Sequence, residues 1–258
     1  MLSLGIMKIG QKIFRTESCA STNDAAQNMA LQGEEEGTVV LCEEQTAGRG
    51  TKGRKWYSAR GKGLYLSIIL RPRQRDLSLL PLTAGLAVRD ALIESVNVFI
   101  QLKWPNDLIY EQKKLGGILC EGSFMGNELS HVILGIGLNV SHRREDFPEE
   151  FRSQAVSLKL AIKREVNKEA LLSKLWEMLD FWYRDFLKGE KRQIMKAYEE
   201  FSVFSLGERI EVETEKEHIK GEYKGIDLRG QLLVRTQEKQ RSLLAAEVIQ
   251  VRGRSKEG

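Results

Sequence analysis

A run with almost no apolar side chains, "AGRGTKGRKWYSARGKG" at 47–63, lies between two stretches that read as buried strand, "GTVVLCEEQ" and "GLYLSIILRP". It holds five glycines and six Lys or Arg. Gly48, Gly50 and Gly53 fit GxGxxG, but a dinucleotide fingerprint must open a helix that receives the pyrophosphate. Here "RKWYSARGKG" has no helical apolar period and leads into another strand, so a doubly wound nucleotide fold is excluded. A Walker A loop is excluded as well, because Arg54 stands where the lysine is required and no Ser or Thr follows it. No VAIK-like lysine, HRD or DFG is present, so the chain is not a kinase. What remains is backbone freedom beside positive charge. Glycines let N–H groups approach an anion closely, and Arg49 and Arg54 supply planar forks for carboxylate or phosphate oxygens. An exposed loop and a ligand loop both fit this composition. Trp56 within it either covers a flat ligand ring or packs on the sheet.

The flanking segments organise around this loop. A helix is expected from "STNDAAQNMALQG", with Ser21 and Asp24 spaced as a capping box and Gly33 as the stop. "LTAGLAVRDALIESV" carries helical spacing. Three strand-like runs follow, "VFIQLKWPNDLIY", "KLGGILCEGSF" and "ELSHVILGIGLNV", the first two joined through "EQKK" as a hairpin. Residues 167–189 form an amphipathic pattern with Leu171, Leu175, Met178, Leu179, Trp182 and Phe186 on one stripe, and "KRQIMKAYEEF" reads as a further helix. After Phe204 short alternating strands separated by Gly or charged turns suit a small β-barrel. At roughly fifty residues such a unit is marginally stable alone, so it is expected to lean on the larger part. The sequence thus predicts an α+β chain with a larger domain at 1–203 and a barrel at 204–258.

Composition narrows the class. A chain of 258 residues, 41% hydrophobic and 29% charged, is long enough for a real core and reads as globular. Its net charge of +4 falls short of a dedicated nucleic-acid binder. Cys19, Cys42 and Cys120 form no CxxC pair, which argues for a reducing, cytoplasmic compartment and against a disulfide or zinc framework. Three isolated histidines offer no His-based metal site. The N-terminal "MLSLGIMKIGQK" lacks a signal-peptide core, and "LYLSIIL" is too short to span a membrane.

Five motifs in order carry a family resemblance: "STN" (21–23), "EEQTAGRGTKGRKWYS" (43–58), "LKWPNDL" (102–108), "KKLGGILCE" (113–121) and "GIGLNV" (135–140). Together they resemble the catalytic domain of biotin protein ligases, a class II synthetase-like fold followed by a small SH3-like barrel. The resemblance implies a two-step reaction. Biotin and ATP, with Mg²⁺, give biotinyl-5′-AMP and pyrophosphate, and the acyl group then passes to one lysine of a biotin carboxyl carrier protein. A homodimer joined through the catalytic-domain sheet is also implied.

The same resemblance assigns roles. Ser21, Thr22, Asn23 and Gln45 fall at the biotin positions; a helix N-terminus with two hydroxyls suits the uncharged ureido ring, while an N-cap explains Ser21 and Thr22 equally. Gly48, Arg49, Gly50 and Thr51 belong to the biotin side of the loop. Arg49 also faces the α-phosphate, Arg54 serves ATP, and Trp56 covers the adenine. Lys103, at a strand end, matches the phosphate-binding lysine, although a solvated strand-end charge reads the same. Asn106 and Asp107 either hold Mg²⁺ or fix Lys103. Lys114 matches the lysine on the biotin carboxylate or its adenylate. Gly116 and Gly117 indicate a ligand lying against the strand, or a β-bulge. Asn139 falls near adenine or phosphates, or forms a turn. One departure stands out: Thr51 occupies the place of a frequent second loop arginine, so either Lys52 or Lys55 supplies that charge or the adenylate is held less tightly.

A lipoate–protein ligase would share the fold, but its R-R-x-S-G-G-G type of loop is absent. A DNA-binding helix-turn-helix of some sixty residues has no room in the approximately twenty residues before "STN", so no DNA partner is expected.

Overall fold

The computed structural model describes residues 9–214, 217–244 and 247–249. The outer ends of both expected domains, and part of "AAEVIQVR", lie outside the described residues. In chain order the elements are β1 (Ile13–Thr16), α1 (Thr22–Leu31), β2 (Val39–Cys42), β3 (Gly63–Leu70), α2 (Leu80–Val96), β4 (Gln101–Lys103), β5 (Asp107–Tyr110), β6 (Lys113–Met125) and β7 (Glu128–Asn139). Then come α3 (Leu158–Ile162), α4 (Lys168–Lys188), α5 (Lys191–Glu200), β8 (Arg209–Glu213), β9 (His218–Ile226), β10 (Leu232–Arg235), β11 (Gln240–Leu243) and β12 (Glu247–Ile249).

Seven strands form one mixed sheet in the order β1-β2-β3-β7-β6-β5-β4. Only the β1–β2 pair is parallel; the other pairs are antiparallel. β3 is buried at all eight positions because it lies between β2 and β7 and is covered on both faces. That double burial explains its unbroken apolar run. The large core gathers α2 and the expected α4 stripe, with Leu171, Leu175, Leu179, Trp182 and Phe186 buried and Met178 partly so. A smaller cluster on α1 packs Ala26 and Ala30 with Val40, Ile69 and Ile133.

Several local readings change. Within "VFIQLKWPNDLIY" the strand does end at Lys103, and a second one follows: β4 folds back on β5 with Lys103 opposite Asp107, across a turn containing the cis Trp104–Pro105 peptide. The "EQKK" hairpin turns on Glu111 and Gln112, both at positive φ (46° and 64°), so both lysines already belong to β6. Ser21 occupies the N-cap of α1 but makes no side-chain cap, and the expected capping box does not form. Asp24 is drawn instead to Arg49, and the Thr22 N–H donates to Gln45 Oε1 at 2.8 Å. β1 and α3 carry no sequence pattern long enough to announce them.

The five C-terminal strands form a separate antiparallel sheet, β11-β10-β9-β8-β12. Its buried Ile210, Val212, Ile219, Tyr223, Leu232 and Val234 are continuous with the main core. Trp104, 2% exposed, donates its indole N–H to the Gly230 carbonyl at 2.8 Å, and Phe204 packs on Tyr223. Trp104→Phe removes this donor and leaves a buried carbonyl unpaired, which should cost about 1–3 kcal/mol in urea unfolding. An unchanged midpoint would show that the two sheets are not coupled there.

Candidate active site

One face of the large sheet is covered in two ways. Near β2, β3 and the middle of β7, α1 lies on it. Further along β7 and β6 the covering side chains stop, because Gly135, Gly137 and Gly117 have none to offer. A Cβ on Gly135 would overlap the Asn23 amide, and one on Gly137 would come within 2.6 Å of the Trp56 ring. The result is a cleft of about 470 Å³ floored by strand backbone. A register shift between Leu108 and Ile109 of β5 matters here. Lys114 and Gly117 are an odd number of residues apart and would normally face opposite sides. The irregularity turns both toward the cleft, while Leu115 and Gly116 turn into the core.

At the α1 end the wall is polar and almost dry. Ser58, Ser67, Ser21, Thr22 and Asn23 are each 5% exposed or less. Gln45 donates to Ser58 Oγ at 2.8 Å and accepts from both the Thr22 N–H and its hydroxyl. Ser67 Oγ lies 2.8 Å from Thr22 Oγ1 and donates to Asn23 Oδ1 at 2.6 Å. Asn23 Nδ2 donates to Glu121 at 2.5 Å, and Glu121 in turn faces Arg49 at 3.4 Å. Arg49 also donates to Asp24 at 2.6 Å. Sequence reasoning missed Ser67 and Glu121. Ser67 is a small polar residue within the apolar run of β3, and that interruption was the available signal.

The loop of 47–63 folds back on itself, with Gly50 N–H bonded to Arg54 O at 2.7 Å and Trp56 N–H to Gly48 O at 2.9 Å. Trp56 packs on the sheet, over Gly137 and within 3.6 Å of a Gly117 Cβ position, and its buried indole N–H meets no acceptor among the described residues. Arg49, Gly50, Thr51, Arg54 and Lys55 line the cleft, and Thr51 Oγ1 is 3.5 Å from Arg54. Gly48 stands behind this wall, tight against the Trp56 carbonyl and Gln45.

The β4–β5 end carries charge. Lys103, Asn106, Asp107 and Lys114 all line the cleft. Lys114 Nζ lies 2.6 Å from Asp107 and 5.6 Å from the Trp56 ring centroid. Asn106 braces the turn, exchanging bonds with both backbone groups of Ile118. Asn139 donates to Val156 O at 3.1 Å, tying β7 to the segment that walls this end with Phe147 and Phe151. Of the expected site residues, only Gly48 and Gly116 do not line the cleft. Asp107 pairs with Lys114, and no group of three His, Cys, Asp or Glu able to hold a metal occurs among the described residues.

These features define an α+β chain whose cleft has hydroxyls and amides beside the Arg49–Asp24–Glu121 ion pairs at one end and a cationic β4–β5 end. A model described as the Biotin/lipoate A/B protein ligase family matches residues 16–139, and the Biotin protein ligase C terminal domain matches 205–250. Bifunctional ligase/repressor BirA of Bacillus spizizenii is 31% identical, over 93% of this chain and 74% of that protein. Biotin–[acetyl-CoA-carboxylase] ligase of Paracoccus denitrificans is 31% identical over 81% of this chain and 89% of its own length. The structure of Aquifex aeolicus biotin protein ligase in complex with biotin and ATP aligns with a TM-score of 0.82 at 29% identity, covering 93% of this chain and 100% of that one. The Leishmania major enzyme in complex with biotinyl-5-AMP gives 0.61 at 26%, covering 91% and 99%. The chain belongs to the biotin protein ligase family, and it is a ligase.

The wall segment also carries a titratable group. His142 is fully buried, stacked on Phe147 at 4.8 Å and 3.4 Å from the Tyr65 hydroxyl. Burial pushes its pKa from 6.5 down to about 4. Below 6.5 the unfolded chain takes up a proton that the folded one refuses, so stability falls as pH drops from 6.5 toward 4. The full loss is roughly 3 kcal/mol. His142→Phe should flatten the fall in urea midpoint between pH 7 and pH 5; identical slopes in both proteins would contradict this.

Proposed function

We propose that this protein activates biotin with ATP to biotinyl-5′-AMP and transfers biotin to a lysine of a biotin carboxyl carrier protein. The observation that carries the reading is the two-ended cleft. Hydroxyls and amides of Ser21, Thr22, Asn23 and Gln45 suit an uncharged ureido ring, and Lys103, Lys114, Arg49 and Arg54 suit the carboxylate and phosphates. In the first step a biotin carboxylate oxygen attacks the α-phosphorus and pyrophosphate leaves. Lys103 and Lys114 stabilise the charge that gathers there, and Mg²⁺ arrives as counter-ion of the ATP phosphates. Trp56 lies on the cleft floor, so covering an adenine requires the ring to lift from Gly137.

In the second step the acceptor amine attacks the acyl carbon of the mixed anhydride and AMP departs. A lysine of ordinary pKa ~10.4 is neutral in about one molecule in a few thousand at pH 7. Positioning and a good leaving group therefore do the chemistry. The glycine-rich loop closes over the intermediate and keeps water away until the amine arrives. We assign catalysis to residues 1–203 and an accessory role to 204–258. The free thiols of Cys19, Cys42 and Cys120 fit work in a reducing cytoplasm.

Mass spectrometry of a carrier domain incubated with the protein, biotin, ATP and Mg²⁺ should show one biotin added at one lysine; lipoate in place of biotin should give none. Arg49→Ala and Lys103→Ala should each cut biotin-dependent pyrophosphate release by about 10²-fold or more, the size of a lost charge stabiliser in a transition state, with unfolding midpoints unchanged. Wild-type release from either variant would refute that residue's role. Trypsin should cleave within 47–63 more slowly when biotin and ATP are both present; equal cleavage would remove the closing loop from the account.

A further inference from the structure

Arg49 is held apart from the lysines of the β4–β5 end. Its guanidinium is held between Asp24, on the first turn of α1, and Glu121, on β6. Gly117, where Trp56 and Lys114 meet the sheet, is four residues further along β6, roughly 13 Å of extended strand away. The holding group is itself fixed. Glu121 accepts from Asn23 at 2.5 Å, and Asn23 accepts from Ser67, which is 0% exposed. Two carboxylates thus compete for one guanidinium against any anion that enters the cleft.

We propose that Asp24 and Glu121 are positioning residues that hold Arg49 away from the β4–β5 end, so that an anionic intermediate is retained only by winning the arginine from them. This rests on the acyl-adenylate reading above. Their function is to set how tightly the activated acid is kept: strong enough to exclude loss to water, weak enough to release AMP after transfer. The exchange conserves favourable pairing for Arg49 but leaves two carboxylates at the cleft rim, and that cost lowers the apparent affinity for the intermediate.

Both side chains are partly exposed, with 48% and 42% of their side-chain surface accessible, so conservative variants should fold. The probe is a non-hydrolysable sulfamoyl analogue of the acyl-adenylate, titrated calorimetrically. Asp24→Asn and Glu121→Gln should each bind it about threefold to fivefold more tightly than wild type, the scale of an exposed ion pair. The gain should vanish when Arg49→Ala is added. Weaker or equal binding in both single variants, or a gain that survives Arg49→Ala, would overturn the proposal. A second measurement needs no ligand. Trypsin should cleave after Arg49 faster in Asp24→Asn than in wild type, because the ion pair shields the side chain; an equal rate would overturn the holding role. If wild type fails to bind the analogue, the functional reading falls, and the cleavage comparison alone decides whether Asp24 holds Arg49.

Discussion

Everything in this site depends on a stretch of sheet that lacks side chains. α1 covers the face of β2, β3 and β7 as far as Ile133, and the next cleft-facing positions on β7 are Gly135 and Gly137. On β6 the matching position is Gly117, opposite Gly137 in register. Because these residues end at Cα, the backbone itself forms the floor, Asn23 can lie across Gly135, and Trp56 can lie flat on Gly137. The loop of 47–63 takes its place through that ring. A side chain of any size on β7 would push out the indole and with it the loop's contact to the sheet.

On this floor the charges are sorted by distance along the strands. The α1 end is built from hydroxyls and amides that satisfy one another in a chain from Ser58 to Glu121. Buried polar groups of this kind are costly unless paired, so the chain fixes the geometry of each member. The β4–β5 end holds Lys103, Lys114 and Asp107 near a tight turn braced by Asn106. An elongated ligand with an uncharged polar head and an anionic tail matches that gradient. The Asp107–Lys114 pair leaves Lys103 as the excess positive charge at the turn, which suits an anionic group there.

Much of this was legible in the residues. The strand–loop–strand context of the glycine run excluded a dinucleotide fold, the α4 stripe gave its buried face, and the ordered motifs gathered around one cleft. What escaped has a physical cause in each case. The Ser21–Asp24 box failed because Asp24 found a stronger, non-local partner in Arg49. β1 is four residues long with three exposed positions, too short for any period. Gly116 and Gly117 could not be told apart because the register shift in β5, a tertiary feature, decides which of them faces the cleft. Glu121 drew no reading of its own, because only the fold brings its partner Asn23 beside it.

The most direct test of the glycine floor is calorimetric titration of biotin into Gly137→Ala and wild type, with urea unfolding run on both. The added methyl meets the Trp56 ring rather than core side chains. Biotin binding should weaken by about tenfold or more, a loss of about 1.4 kcal/mol, because the displaced indole no longer holds the loop on the sheet, while the protein stays folded with a stability loss within the roughly 1–3 kcal/mol of an overpacked contact. Unchanged biotin affinity in a folded Gly137→Ala protein would contradict it.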